Sequence, residues 1–160
     1  MTAIRRTFPR SERDGASTVE KPQQEFVIIT KAKDLVKHTF CLTNGKSFPK
    51  KERFCLVNRM QDRALGIFED VQEANELDLN DPREFRERQY LQKRALTRCK
   101  TMLFFIELAK ERGYIDADSC KYWTRFVLDV KYMTAKWKKQ ERLRAGASGA
   151  GPVPQPQRRN

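Results

Sequence analysis

NDPREFRERQYLQKRALTRCKTMLFFIELAKERGYID, residues 80–116, contains a helix start, a long amphipathic run and a helix stop. Asp81 can act as N-cap. Pro82 suits the first helical position, where its missing N–H would have had no partner, and Glu84 stands at N3, able to reach back in a capping box. From there Phe85, Leu91, Ala95, Leu96, Cys99, Met102, Leu103, Ile106 and Ala109 recur at helical steps to about Arg112. Gly113 can take the left-handed conformation that closes a helix, so the chain should reverse there, with Asp116 or Asp118 capping the next element. A helix with one apolar stripe must bury it against something.

Working outward, the same period appears three more times. Downstream, Cys120, Trp123, Phe126, Val127, Val130, Met133 and Trp137 mark a fourth helix that should fray after Arg144. Upstream, Ser47-Phe48-Pro49 restarts the chain into a second helix over about 50–76, whose apolar positions are Phe54, Val57, Ala64, Leu65, Phe68 and Val71. A first helix over about 25–43 presents Phe26, Ile29, Ala32, Leu35, Val36 and Phe40, and stops at Asn44-Gly45. Every connection is short, so successive helices should be antiparallel neighbours. The expectation is an all-α, up-down-up-down four-helix bundle over 25–144, with no strand and no internal repeat.

The flanks read differently. Residues 1–24 are polar and aperiodic, and 145–160 are rich in Gly, Ala and Pro, compositions that cannot bury enough apolar area to offset ordering. Both are expected to be disordered tails around a single domain. No apolar run approaches the roughly 20 residues that cross a bilayer, and the first residues lack the apolar core of a secretory signal, so a cytoplasmic protein is expected.

Catalytic chemistry finds little support. A di-iron bundle needs Glu-x-x-His on two helices, whereas this chain has one histidine, His38, with Leu35 three residues before it. His38 reads as a surface or core-edge residue. Cys41, Cys55, Cys99 and Cys120 fall one per helix without metal or redox spacing, and read as small buried apolar residues in a reducing compartment. The acids Glu69, Asp70, Glu73, Glu76, Asp78 and Asp81 read as a solvated face. No phosphate-cradling Gly loop and no nucleophile elbow occurs. No enzyme activity, metal or cofactor is expected.

Charge points to partners instead. The net charge is +12, and it is concentrated: 81–113 and 114–144 each carry +4, against −2 on 47–80. Arg86, Lys93 and Lys100 stand seven apart, away from the apolar seam, flanked by Arg83, Arg94 and Arg98. In the fourth helix Lys131, Lys136, Lys138, Lys139, Arg142 and Arg144 gather toward the C-terminal end, with Arg158 and Arg159 beyond. Such clusters are the footprint of nucleic-acid binding, though some cations should pair with Glu87, Glu107, Asp129 or Glu141. Six phosphate contacts on a single strand would give a log–log salt slope of about −4. Trp123, Phe126 and Trp137 lie on the apolar stripe and read as core. Tyr90, Tyr122 and Tyr132 are the better candidates for exposure. Leu56, Leu77, Leu79 and Leu128 are left over once one seam is assigned, and could bury within the bundle or between copies.

The block Phe48-Pro49-Lys50-Lys51-Glu52-Arg53-Phe54, with Glu107-Leu108-Ala109-Lys110-Glu111-Arg112-Gly113-Tyr114-Ile115 and Tyr122-Trp123-Thr124-Arg125-Phe126-Val127-Leu128-Asp129-Val130, resembles a known family. It is the four-helix proteins that include the accessory variability determinant of diversity-generating retroelements. Sister proteins encoded in ribosomal-RNA intervening sequences share the bundle. Many of them carry a Ser-Ile-Pro type segment where this chain has Arg63-Ala-Leu-Gly-Ile-Phe-Glu-Asp-Val-Gln, which favours the retroelement branch. The resemblance implies a basic homopentamer that associates with a reverse transcriptase and its template RNA, and with complementary DNA, and assists mutagenic cDNA synthesis. It transfers no catalytic motif. The alternative is a structural or interaction bundle whose charge serves an acidic protein partner.

Overall fold

The structure is a computed structural model that describes residues 23–148, with side chains described from Val27 onward. The residues before and after these, including most of both expected tails, Arg158 and Arg159, lie outside the described residues, as does the Phe26 side chain. Four helices account for almost all of the rest: α1 Gln23–Thr43, α2 Asn58–Glu76, α3 Pro82–Glu111 and α4 Ala117–Ser148. Each packs against the next, and α1 also packs against α4, so they close into an antiparallel four-helix bundle without a strand among the described residues.

The helix ends show why the chain turns where it does. Asp81 accepts hydrogen bonds from the backbone N–H of Arg83 at 2.7 Å and of Glu84 at 3.2 Å, as an N-cap should. The capping box does not close. Glu84 accepts from the backbone N–H of Asp78 at 2.6 Å instead, pinning the α2–α3 turn rather than the cap residue. Gly113 has φ 77°, its N–H bonded to the Lys110 carbonyl and that of Tyr114 to the Ala109 carbonyl, both at 2.9 Å. That pair is a Schellman closure. Asp116 then accepts from the Ser119 N–H at 2.7 Å and opens α4, which continues four residues past the expected end at Arg144.

The second helix departs from expectation at its start. The chain leaves Pro49 through a 3-10 turn, Lys50–Glu52, and then a π turn, Arg53–Val57, in which the Asn58 N–H reaches the Arg53 carbonyl. A π turn takes up one more residue per turn than an α-helix and so rotates the later residues about the helix axis. Phe54, expected in the core, is therefore 79% exposed, while Leu56, left over by the simple period, is buried with Val57.

Two apolar clusters fill the bundle. One joins Leu35, Met60, Ile67, Met102, Ile106, Trp123 and Val127. The other, toward the α2–α3 turn, joins Ile28, Val71, Ala74, Leu91 and Trp137. Trp123 is fully buried and donates from Nε1 to Thr39 Oγ1 at 3.1 Å. Tyr90, Tyr122 and Tyr132 are exposed, as the sequence suggests. His38 is half-buried against Tyr122, Trp123 and Phe126, and desolvation lowers its pKa. The cysteines divide: Cys99 is buried and its thiol is pushed up to about 12 by desolvation, whereas Cys41 and Cys55, expected to be buried, are exposed. All four are free thiols.

Candidate nucleic-acid interface

Three charged residues occupy seam positions, and they determine which arginines face outward. Asp70 is fully buried, unlike Glu69, Glu73, Glu76, Asp78 and Asp81, which lie at least partly in solvent as a solvated face should. Its Oδ1 accepts from Arg94 Nη2 at 2.6 Å and Nε at 2.9 Å, with Arg98 Nη1 at 3.0 Å. Arg98 also donates to the Gly66 carbonyl, an approach that a Cβ on Gly66 would block by colliding with the guanidinium. Arg94 and Arg98, which the sequence places beside the basic stripe, thus brace α3 against α2.

The second braced group sits where α2 ends. Arg88 is buried and donates to Glu141 of α4 from Nη2 at 2.6 Å and from Nε at 2.9 Å. Its Nη1 donates to the carbonyls of Ala74 at 2.6 Å and Leu77 at 3.1 Å, groups that α2 leaves unpaired at its C-terminal end. Gln92 donates to the other Glu141 oxygen at 2.8 Å, and the Arg88 guanidinium lies 4.8 Å from the Trp137 ring centroid. Glu141 therefore pairs with Arg88 rather than with the surface cations. Asp129 pairs with Lys31 at 3.2 Å.

What remains outside is a basic face on α3 and α4. Arg83, Arg86, Lys93 and Lys100 are exposed along α3, and Lys136, Lys139, Arg142 and Arg144 along α4. Lys131 and Lys138 are also in partial contact with solvent, Lys131 lying 5.5 Å from the Tyr132 ring centroid. These positions do not form one cluster. Lys136, two residues before Lys138, falls on the other side of a helix with 3.6 residues per turn. Arg144 lines a separate cleft of about 510 Å³ with Leu79, Pro82 and Phe85. The fold does bring Lys93 across to Lys138 and Arg142. Burial first, then the like charges of Arg142 and Lys93, lower the Lys138 pKa. Beside them Leu96, Ala135, Lys138, Lys139, Arg142 and Leu143 line a groove of about 370 Å³, with an apolar floor and a cationic rim.

Sequence reasoning missed Arg88 and Gln92 altogether and gave Asp70 and Glu141 surface roles. A signal was available: Asp70 stands between Ile67 and Ala74 at seam spacing, Arg88 three before Leu91, and Glu141 four after Trp137. A charged residue in register with an apolar seam is either functional or paired inside. Among the described residues no group of three or more His, Cys, Asp or Glu is arranged to hold a metal. No helix among them is long and apolar enough to cross a membrane.

No protein-family model matches the chain, and no curated protein matches it. Among solved structures it is similar to a protein of unknown function from the S23 ribosomal protein family of Bacteroides thetaiotaomicron VPI-5482. The likeness has a TM-score of 0.60 at 14% identity and covers 72% of this chain and 98% of that one. At that identity the likeness establishes the shared fold, a four-helix bundle.

Proposed function

We propose that this protein is a noncatalytic accessory factor that binds a retroelement reverse transcriptase and its template RNA through the basic face of α3 and α4, and assists mutagenic cDNA synthesis. The retroelement assignment rests on the sequence resemblance. The observation that carries nucleic-acid binding is the crowding of Lys93 and Arg142 about Lys138, beside a groove whose rim is formed by Lys138, Lys139 and Arg142. Like charges held this close repel, and a polyanion laid across them relieves the repulsion and releases its own counterions. Arg86 and Lys100 extend the same row along α3, about 10 Å to either side of Lys93 at 1.5 Å per residue. Arg94 and Arg98 support the face by holding α3 in place rather than by contacting phosphate.

Replacing Arg86, Lys93, Lys100 and Lys139 with Glu tests the proposal. Binding to single-stranded RNA should fall by at least two orders of magnitude near physiological salt, and its salt slope should flatten by about 0.7 per lost phosphate contact. Helicity should be unchanged, and stimulation of the cognate polymerase should be lost together with binding. Unchanged RNA affinity would remove this face from consideration. The groove's apolar floor, where Leu143 is 64% exposed, supports a second reading in which an acidic protein segment docks there. Under that reading the same variants lose the protein partner and bind RNA as the wild type does.

A further inference from the structure

The bundle end remote from the α3/α4 groove carries a second cationic concavity, about 390 Å³ in volume, where α1 turns into α2. Lys46, Lys50 and Arg53 line it together with Asn44, Gly45 and Phe48, and no acidic residue does. Among the described residues none of these three cations has a carboxylate within ion-pair distance. The nearest acid in sequence, Glu52, is engaged elsewhere, accepting from the Tyr114 hydroxyl at 2.7 Å and from Arg112 at 3.4 Å. One wall is held in place, because Gln61 of α2 donates to Thr43 Oγ1 at 2.9 Å and to Asn44 Oδ1 at 3.1 Å.

Next to Arg53 stands Phe54, more exposed at 79% than the other exposed large hydrophobic side chains. The π turn over Arg53–Val57 puts it there, and such turns recur at functional sites. A ring left in water forgoes the burial that would otherwise hold it, and here it directly follows Arg53, one of the cations lining the concavity, a pairing that suits a ligand with both a flat apolar surface and negative charge. Unpaired nucleic acid has both.

We infer that this end of the bundle binds a single-stranded nucleic acid, with a phosphate among Lys46, Lys50 and Arg53 and a neighbouring base stacked on Phe54. The inference rests on the nucleic-acid reading above and adds a contact distinct from the α3/α4 face. From Ala117, near this end, to Lys138 at the groove, α4 climbs about 30 Å, so the two contacts engage different nucleotides.

Fluorescence anisotropy of the full chain, with a labelled oligouridine strand and with a duplex of the same length, tests it. Phe54→Leu keeps an exposed apolar side chain but removes the ring. Its single-strand affinity should fall about tenfold, with duplex affinity unchanged. Lys50→Gln combined with Arg53→Gln should flatten the single-strand salt slope by about 1.4. All three positions are exposed, so far-UV circular dichroism should match the wild type. Wild-type single-strand affinity in Phe54→Leu overturns the inference. So does a Phe54→Leu protein that keeps strand binding but loses the polymerase, because the ring then contacts protein. The α3/α4 charge reversals are measured alongside. Loss with those alone overturns this inference and leaves the α3/α4 face standing; loss with the end-pocket variants alone upholds it and removes that face. A wild-type protein that binds neither probe overturns both.

Discussion

Gly113 shows how a single residue can set a chain reversal. At φ 77° a side chain is strained whatever space surrounds it, and nothing lies within 4 Å of the place a Cβ would occupy. Backbone strain is therefore the whole effect. Gly113→Ala should cost about 1 kcal/mol, read as a lower urea midpoint at unchanged slope; an unchanged midpoint would mean the turn relaxes out of the left-handed region. This residue is legible in the sequence because its role depends on local backbone geometry. Asp70 is less legible. It is an acid among acids in the chain, and its burial depends on Arg94 and Arg98 arriving from another helix. Phe54 departs from its expected place for a local reason, since one π turn displaces the residues around it by a fraction of a turn.

At the scale of elements, the helices are joined by packing and by two internal ion-pair systems. Arg88 of α3 occupies the C-terminal carbonyls of α2 and the Glu141 carboxylate of α4 at once, so it ties three helices together at one level. Removing one partner leaves the other charge buried without compensation. Arg88→Met should cost about 3–5 kcal/mol, measured by urea denaturation. Replacing Arg88 and Glu141 together with apolar residues should recover much of that loss. A single variant whose stability matches wild type would show that Glu141 reaches water when Arg88 is gone. The functional consequence is positional: Arg88, Arg94 and Arg98 fix how α3 lies against α2 and α4, and hence the spacing of Lys93 from Lys138 and Arg142. Element existence and order follow from apolar period and caps alone, because those signals repeat along the chain and reinforce one another.

For the whole molecule, the proposed reading carries a quaternary expectation. Phe104, Tyr132 and Leu143 are exposed large apolar side chains on α3 and α4, and the resemblance to retroelement accessory proteins implies five copies. Light scattering after size exclusion, on nuclease-treated protein at high salt, should give five times the chain mass; a monomer would undercut the retroelement reading and favour the generic interaction bundle. Net charge, its concentration in 81–144, the four-helix topology and the expected exposure of Tyr90, Tyr122 and Tyr132 were determined by the sequence itself. Each depends on composition or on contacts within one helix, where residues three and four apart share a face whatever surrounds them. Tertiary structure alone decided that Arg88, Arg94 and Arg98 brace α3 against its neighbours, and that Lys93 comes close to Lys138 beside the groove that Lys138 and Arg142 line. Those facts depend on which helix faces which and in what rotation, and helical spacing, being the same for every helix in the chain, does not specify either.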